Sequence, residues 1–343
     1  MRVIVDAMGG DRAPLEVLRG TAEASRRCNA ELILVGDRNR LLRIAQENNL
    51  DLTPFEIVHT PSVITMEDDP IAVLRGKKDS SMIVGLNLLA QGKGDAFVSA
   101  GNTGALFTAA TFIVKRVRGV GRAAIGTVLP GTKSCLLLDA GANITVSEEY
   151  LEQFAVMGSA YMQEVYGVAA PAVGLLNNGT EDSKGTPLQV QTNRRLCACD
   201  AIRYVGNVEG STVLFGACDV LVADGFTGNV FLKTVEGTAK LLMGELKDAM
   251  LKNALTKLAA LPLKKSMGQL KRRLDPGEHG GSPILGISKP IIKAHGSSDA
   301  RAICNAVLAA VRYAQSDVIG RIGQAADRFH AIRKAESEEI SDG

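Results

Sequence analysis

The sequence predicts an α/β fold in which a mainly parallel sheet is covered by helices on both faces. Three observations predict it. Short β-rich runs alternate with helical stretches along most of the chain. Several of those runs are apolar throughout rather than alternating, as strands buried on both faces require. Clusters of Gly, Asn and Asp stand immediately after strands, where a parallel sheet gathers its loops.

In order, strands are expected at residues 2–5, 31–35, 55–59, 96–99, 124–128, 134–138, 172–176, 203–208 and 220–222. Helical patterns fall between them at 14–28, 38–48, 80–91, 147–166 and 227–247. Right-handed βαβ crossovers follow from that alternation. A length of 343 residues is ample for a buried core, and 46% apolar with 22% charged residues excludes wholesale disorder. The net charge of +2, 4% aromatics and no Trp make nucleic acid a poor partner. Cys28, Cys135, Cys197, Cys199, Cys218 and Cys304 form no CxxC pair, so reduced, packed thiols in a reducing cytoplasm are expected and zinc is not. Val3-Ile4-Val5 is too short for a signal-peptide core, and no apolar run reaches membrane-spanning length. A cytosolic protein is expected, at most touching a membrane surface. One α/β catalytic domain is expected over 1–334, with a disordered tail at 335–343 where the chain is small, polar and acidic.

Residues 251–274 break the pattern. Seven basic residues (Lys252, Lys257, Lys264, Lys265, Lys271, Arg272 and Arg273) occur there with no acidic one, and the apolar residues keep near-helical spacing. Pro262 should end one helix and turn the chain into another. A basic helical hairpin at about 248–275, tipped by Leu261-Pro262-Leu263, is therefore predicted. A helix packed on the core, a dimer interface, or an amphipathic element resting on anionic lipid or an acidic protein all fit it.

Five clusters are candidates for chemistry: Asp6-Ala7-Met8-Gly9-Gly10-Asp11, Ser99-Ala100-Gly101-Asn102-Thr103-Gly104-Ala105, Asp139-Ala140-Gly141-Ala142-Asn143, the stretch from Asn177 to Gly185, and Asp224-Gly225-Phe226-Thr227-Gly228-Asn229. Glycines let backbone N–H groups approach an anion, and a helix terminus adds the positive end of its dipole. Any one cluster taken alone reads first as a structural turn, since every α/β protein needs glycine turns. Five at the ends of one sheet describe a donor-rich crevice for phosphate or a carbonyl oxygen. His295, within Lys293-Ala294-His295-Gly296-Ser297-Ser298, is a candidate to line it, against a capping or packing role. There is no GxxxxGK[ST] loop, no GxGxxG after the first strand and no GxSxG elbow, and His59, His279, His295 and His330 make no metal pattern.

These segments resemble the bacterial phosphate acyltransferases of phospholipid synthesis. The resemblance is carried in order by DAMGGD (6–11), SAGNTGA (99–105), DAGAN (139–143), GLLNNGTEDSKG (174–185), GNVEG (206–210), ADGFTGNVFLKTVEG (223–237), GGSPILG (280–286) and HGSS (295–298). It implies a three-layer α/β/α fold similar to isocitrate/isopropylmalate dehydrogenases and phosphotransacetylases, and a homodimer. It also implies a reaction in which acyl-carrier-protein thioester and inorganic phosphate give acyl phosphate and free thiol. A membrane acyltransferase would then consume the acyl phosphate to acylate glycerol 3-phosphate. No cofactor or metal is called for, since no clustered carboxylates demand magnesium.

With phosphate itself as nucleophile, a missing Ser or Cys elbow is expected. Gly9, Gly10, Gly101 and Gly104 would supply backbone donors, and Asn102, Thr103 and Asn229 side-chain donors. Asp6, Asp11, Asn143, Asn177, Gly228 and His295 complete the expected binding set. Lys184 is the candidate for offsetting phosphate and oxyanion charge, and Asp224 for orienting donors or moving a proton, against a turn or N-cap. Leu258, Leu261, Leu263, Lys264 and Lys265 are the candidate contacts with acidic carrier protein or anionic membrane. A nicotinamide-dependent oxidoreductase of related fold and a non-catalytic carrier or membrane scaffold are the competing readings.

Overall fold

The computed structural model describes residues 1–274 and 276–327, so the expected tail and His330 lie outside the described residues. The described residues form eleven strands: β1 (Arg2–Asp6), β2 (Glu31–Gly36), β3 (Glu56–His59), β4 (Ala96–Ser99), β5 (Ala124–Leu129), β6 (Cys135–Leu138), β7 (Ala172–Asn177), β8 (Arg203–Glu209), β9 (Val220–Val222), β10 (Ser282–Leu285) and β11 (Ile291–Lys293). The helices are α1 (Leu15–Ser25), α2 (Arg38–Glu47), α3 (Val73–Gly76), α4 (Ser81–Ala90), α5 (Thr103–Ala109), α6 (Glu148–Tyr166), α7 (Pro187–Ala198), α8 (Gly210–Val213), α9 (Gly225–Leu251), α10 (Ala254–Ala260), α11 (Lys264–Arg273) and α12 (Ala300–Gln315).

The strands form one sheet in the order β3-β2-β1-β4-β11-β10-β5-β6-β9-β7-β8. Side chains along each strand point alternately to two apolar layers. Val3, Val5, Leu32, Leu34, Leu136 and Leu138 face α1, α6 and α12, whereas Ile4, Ile33, Val35 and Leu137 face α4, α5 and the start of α9. Both faces are therefore buried, which is the physical reason these strands are apolar throughout. The three-layer, mainly parallel α/β expectation agrees with this architecture.

All pairings are parallel except the central three, β11–β10, β10–β5 and β5–β6. Two parallel blocks consequently run in opposite directions, with β1, β4 and β11 in one and β6, β9 and β7 in the other. Their carboxyl ends nevertheless meet, because the register of the antiparallel pairings brings them to one level. Lys293, last in β11, pairs with Ser282, whose hydroxyl bonds the Thr127 hydroxyl of β5 at 2.8 Å. Leu138, last in β6, pairs with Gly126, one residue away along β5. The two strand ends thus arrive from opposite directions at nearly one level, with β10 and β5 between them.

Helix α9 is buried only at Gly225, Gly228 and Leu232; the rest projects with α10 and α11 beyond it. Pro262 falls in the turn between α10 and α11. Leu255, Leu258, Leu261 and Leu263 are exposed, Leu258 and Leu261 at 67% and 63%. Of the six thiols, Cys135, Cys218 and Cys304 are buried, Cys28 and Cys199 half-buried and Cys197 exposed.

Candidate functional site

The first cradle is built on Asp6. Its carboxylate is buried at the end of β1, accepts from the N–H groups of Met8 (3.2 Å) and Gly9 (3.1 Å), and from the Ser99 hydroxyl (2.7 Å). Burial raises its pKa above the ordinary carboxylate value, against those hydrogen bonds, which lower it. Ser99 in turn accepts from Gly101 N–H at 3.0 Å, tying the loops after β1 and β4 together. A Cβ on Gly9 would lie 2.5 Å from Asp6 Oδ2 and 2.8 Å from Gly101 N, so only glycine lets these loops touch. Gly10 follows in the left-handed region, and Asp11 N–H donates to Gly296 O at 2.8 Å, which brings in the loop after β11. Asn102 caps α5 by accepting from Ala105 N–H (3.0 Å), while its amide donates to Met66 O (3.0 Å) and Asp68 O (3.2 Å). Gly104 packs beneath Pro70.

The second cradle is built on Asp139, a fully buried carboxylate at the end of β6. It accepts from the N–H groups of Ile125, Gly141, Ala142 and Asn143 and from the Asn143 amide. Asn143 O accepts from Gly225 N–H at 2.8 Å, which joins this loop to the start of α9. Asp224 is the N-cap of that helix, bonded to Thr227 N–H (2.9 Å) and to the Thr227 hydroxyl (2.7 Å). Gly228 sits against the Asp139 carbonyl, and Asn229 packs over Gly141.

A cavity of about 370 Å³ lies where the two cradles meet. Its wall includes Thr103, Gly141, Asn229 and His295 from the sequence candidates, with Thr127, Lys233, Ser282 and Lys293 added by the fold. A second cavity of about 380 Å³ adjoins it through His295, Ser298 and Glu236 and carries Arg12, Lys240 and Met243. His295 Nδ1 contacts the Ser297 hydroxyl at 2.9 Å; partial burial and the neighbouring Lys293 hold its pKa below the usual imidazole value.

The remaining candidates are distributed around this centre. Asp6, Gly9, Gly10, Asp11, Gly101, Asn102, Gly104, Asn143, Asp224 and Gly228 form the frame behind the cavity walls rather than the walls themselves. Asn177 and Lys184 belong to a separate loop after β7, where the Asn177 amide donates to Lys184 O at 3.1 Å and Lys184 is exposed outside both cavities. The sequence reading missed Lys293. Its signal was a lysine inside the apolar run Ile291-Ile292-Lys293-Ala294, which reads as a buried strand.

Comparison with known proteins places this architecture. The family model described as fatty acid synthesis protein matches residues 1–321. A phosphate acyltransferase from Acetivibrio thermocellus is 44% identical over 327 residues, covering 94% of this chain and 96% of that protein. One from Oceanobacillus iheyensis is 43% identical over 340 residues, covering 98% and 100%. Among solved structures, a phosphotransacetylase from Streptococcus pyogenes superposes with a TM-score of 0.62 at 15% identity, covering 92% of this chain and 94% of that one. A phosphotransacetylase from Staphylococcus aureus gives 0.60 at 17% over the same shares. At those identities the structural likeness establishes the fold alone. The sequence likeness does more: the chain belongs to the fatty acid synthesis protein family, and its relatives at 42–44% identity over almost the whole chain are phosphate acyltransferases.

Proposed function

We propose that this protein is a phosphate acyltransferase that moves a long-chain fatty acyl group from an acyl-carrier-protein thioester to inorganic phosphate. The cavity between the oppositely directed strand ends is the observation that carries the reading. It presents neutral donors from Asn229, Thr103, Thr127 and Ser282, and adjoins the N-terminus of the long helix α9. A phosphate oxygen attacks the thioester carbonyl, the carbonyl oxygen gains charge as the tetrahedral intermediate forms, and collapse breaks the C–S bond. The thiolate leaves and takes up a proton; acyl phosphate remains. Prepositioning both reactants supplies most of the rate, and no covalent acyl-enzyme is required.

The test is phosphate-dependent thiol release from acyl-carrier protein, run beside acyl-CoA and NAD(H). Thiol release with stoichiometric acyl phosphate is expected. Carrier binding without release would support a scaffold, and hydride exchange with NAD(H) an oxidoreductase. Mass spectrometry during turnover should find no acylated side chain; an acyl group on Ser297, the serine beside His295, would overturn direct attack.

Lys184 and Asp224 are proposed to assist, Lys184 by offsetting charge as the loop after β7 meets the acyl donor, and Asp224 by orienting α9. Lys184→Ala and Asp224→Ala are each expected to lower kcat/KM by about 10- to 100-fold in folded protein, the range for lost positioning and charge stabilisation. Near-normal turnover at saturating phosphate in both would remove these roles.

The α10–α11 hairpin is proposed as a peripheral contact with anionic membrane, consistent with a cytoplasmic protein that hands acyl phosphate to a membrane acyltransferase acting on glycerol 3-phosphate. Exposed Leu258, Leu261 and Leu263 stand beside exposed Lys264 and Lys265, which pairs apolar insertion with attraction to anionic headgroups. No helix among the described residues is long and apolar enough to cross a membrane. Leu261→Glu combined with Lys264→Ala and Lys265→Ala is expected to reduce flotation with anionic vesicles by at least about tenfold while the melting temperature stays unchanged. Unaltered flotation would reject the membrane role. The acidic carrier protein is the second proposed partner of the same basic hairpin. A homodimer is proposed through the exposed apolar face of α9 that carries Phe226, Val230 and Leu241.

A further inference from the structure

Lys293 ends β11, a central strand whose other residues, Ile291 and Ile292, are fully buried. Only 7% of Lys293 is exposed, and it lines the inner cavity, the one of about 370 Å³ where the two cradles meet. Its amine donates to the carbonyl oxygens of Ala294 and of Ala100, the latter at 3.5 Å. Neither acceptor carries charge, and among the described residues no carboxylate lies within ion-pair distance of it. The other lysine on this wall is different: Lys233 is paired with Glu236 at 2.8 Å. Asp11 and Asp6 favour its charge from beyond ion-pair distance; a buried cation with no direct ion pair is costly, and a bound anion in the cavity supplies the missing contact.

Resting on the acyl-transfer reading, we infer that Lys293 recognises the acceptor: its ammonium group pairs with an oxygen of inorganic phosphate in the inner cavity, between Thr103 and Asn229. The placement suits that task. Lys293 stands at the level where β11 and β6 end, facing Gly141 and Asn229 across β10 and β5, so a phosphate held there is flanked by donors from both halves of the sheet. The strand has both faces covered, which fixes the amine instead of leaving it on a flexible surface stem.

The groups facing Lys293 set its titration. Burial lowers its pKa to about 8, while Asp11 and Asp6, from the loop and strand end beside it, work in the opposite direction. His295 adjoins it on its own loop, and the Lys233–Glu236 pair faces it from α9. The amine is charged below that value and neutral above it, so phosphate capture should weaken as pH rises through it.

The test compares full-length wild type, Lys293→Arg and Lys293→Met in phosphate-dependent thiol release from acyl-carrier protein, with calorimetric titration of inorganic phosphate and thermal melting alongside. Lys293→Met is expected to raise the phosphate KM by about 100-fold or more, the scale for deleting one member of a buried charge pair, and to abolish the calorimetric signal. The KM for acyl-carrier protein should stay within about twofold, because uniform binding of the donor is untouched. Lys293→Arg should restore most phosphate affinity. In wild type, kcat/KM for phosphate should fall through a limb near pH 8 that Lys293→Arg lacks, since phosphate's own ionisation is common to both. An unchanged phosphate KM in Lys293→Met, or the same alkaline limb in the arginine variant, would overturn the assignment. A rise confined to the acyl-carrier KM would overturn it too, placing the lysine on the donor's phosphodiester. If wild type binds phosphate through Lys293 yet releases no thiol, the acyl-transfer reading fails while the phosphate site stands.

Discussion

Asp139→Ala is expected to destabilise the protein by about 3–5 kcal/mol, the scale for stranding several buried donors at once. The carboxylate is fully buried and answers five groups: Ile125 N–H at 3.1 Å, Gly141 N–H at 3.2 Å, Ala142 N–H at 3.1 Å, Asn143 N–H at 2.6 Å and the Asn143 amide at 2.8 Å. The Ile125 and Asn143 donors are buried and cannot turn to water, whereas those of Gly141 and Ala142 are only partly covered. Asp139→Asn keeps an acceptor oxygen and should cost less, about 1–3 kcal/mol. Urea denaturation measures both: the midpoint should drop for alanine, partly recover for asparagine, and leave the m-value constant. Activity should follow stability, since the same five bonds place Gly141 in the cavity wall. A wild-type midpoint in Asp139→Ala would show that the donors find other partners.

The second large effect belongs to Gly228. A Cβ built there lies 2.0 Å from the carbonyl oxygen of Asp139, and backbone at a strand end cannot step aside. Gly228→Ala must therefore lift the first turns of α9 off β6, at about 2–3 kcal/mol. Asn229 and Lys233 ride on those turns into the cavity, and a misplacement of about 1 Å is enough for roughly 100-fold in kcat/KM. Gly237, on the same helix, is the control. Nothing lies within 4 Å of its Cβ, so Gly237→Ala should stabilise by about 0.5–1 kcal/mol and leave turnover unchanged. Equal behaviour of the two variants in denaturation and turnover would discard the close-packing account.

The strands called from apolar runs coincide with elements of the sheet, because burial on both faces leaves a local mark that does not depend on partners. β10 and β11 escaped that reading. Ser282-Pro283-Ile284-Leu285 includes a proline, and Ile291-Ile292-Lys293 is only three residues long, so neither builds a recognisable run. Their omission mattered more than their length suggests. They supply two of the three antiparallel pairings that reverse the direction of half the sheet. Five loops expected at the ends of one parallel sheet consequently divide. Those after β1 and β4 join the β11 loop, those after β6 and β9 interlock across the cavity, and the loop after β7 holds Asn177 and Lys184 in a separate network with Asp182 and Asn193.

Local chemistry in the chain determined the α/β class, the glycine turns that follow the strands and the basic hairpin around Pro262, because hydrophobic period, turn residues and charge runs act over a few neighbours. Only the tertiary structure decided which of those turns share a cavity, that Asp139 rather than a surface group organises it, and that Lys293 faces it. Strand order and direction are set by pairings between residues far apart in the chain, such as Ile284 with Ile125 and Ile291 with Phe97, and such pairings leave no periodic trace in the segments they join.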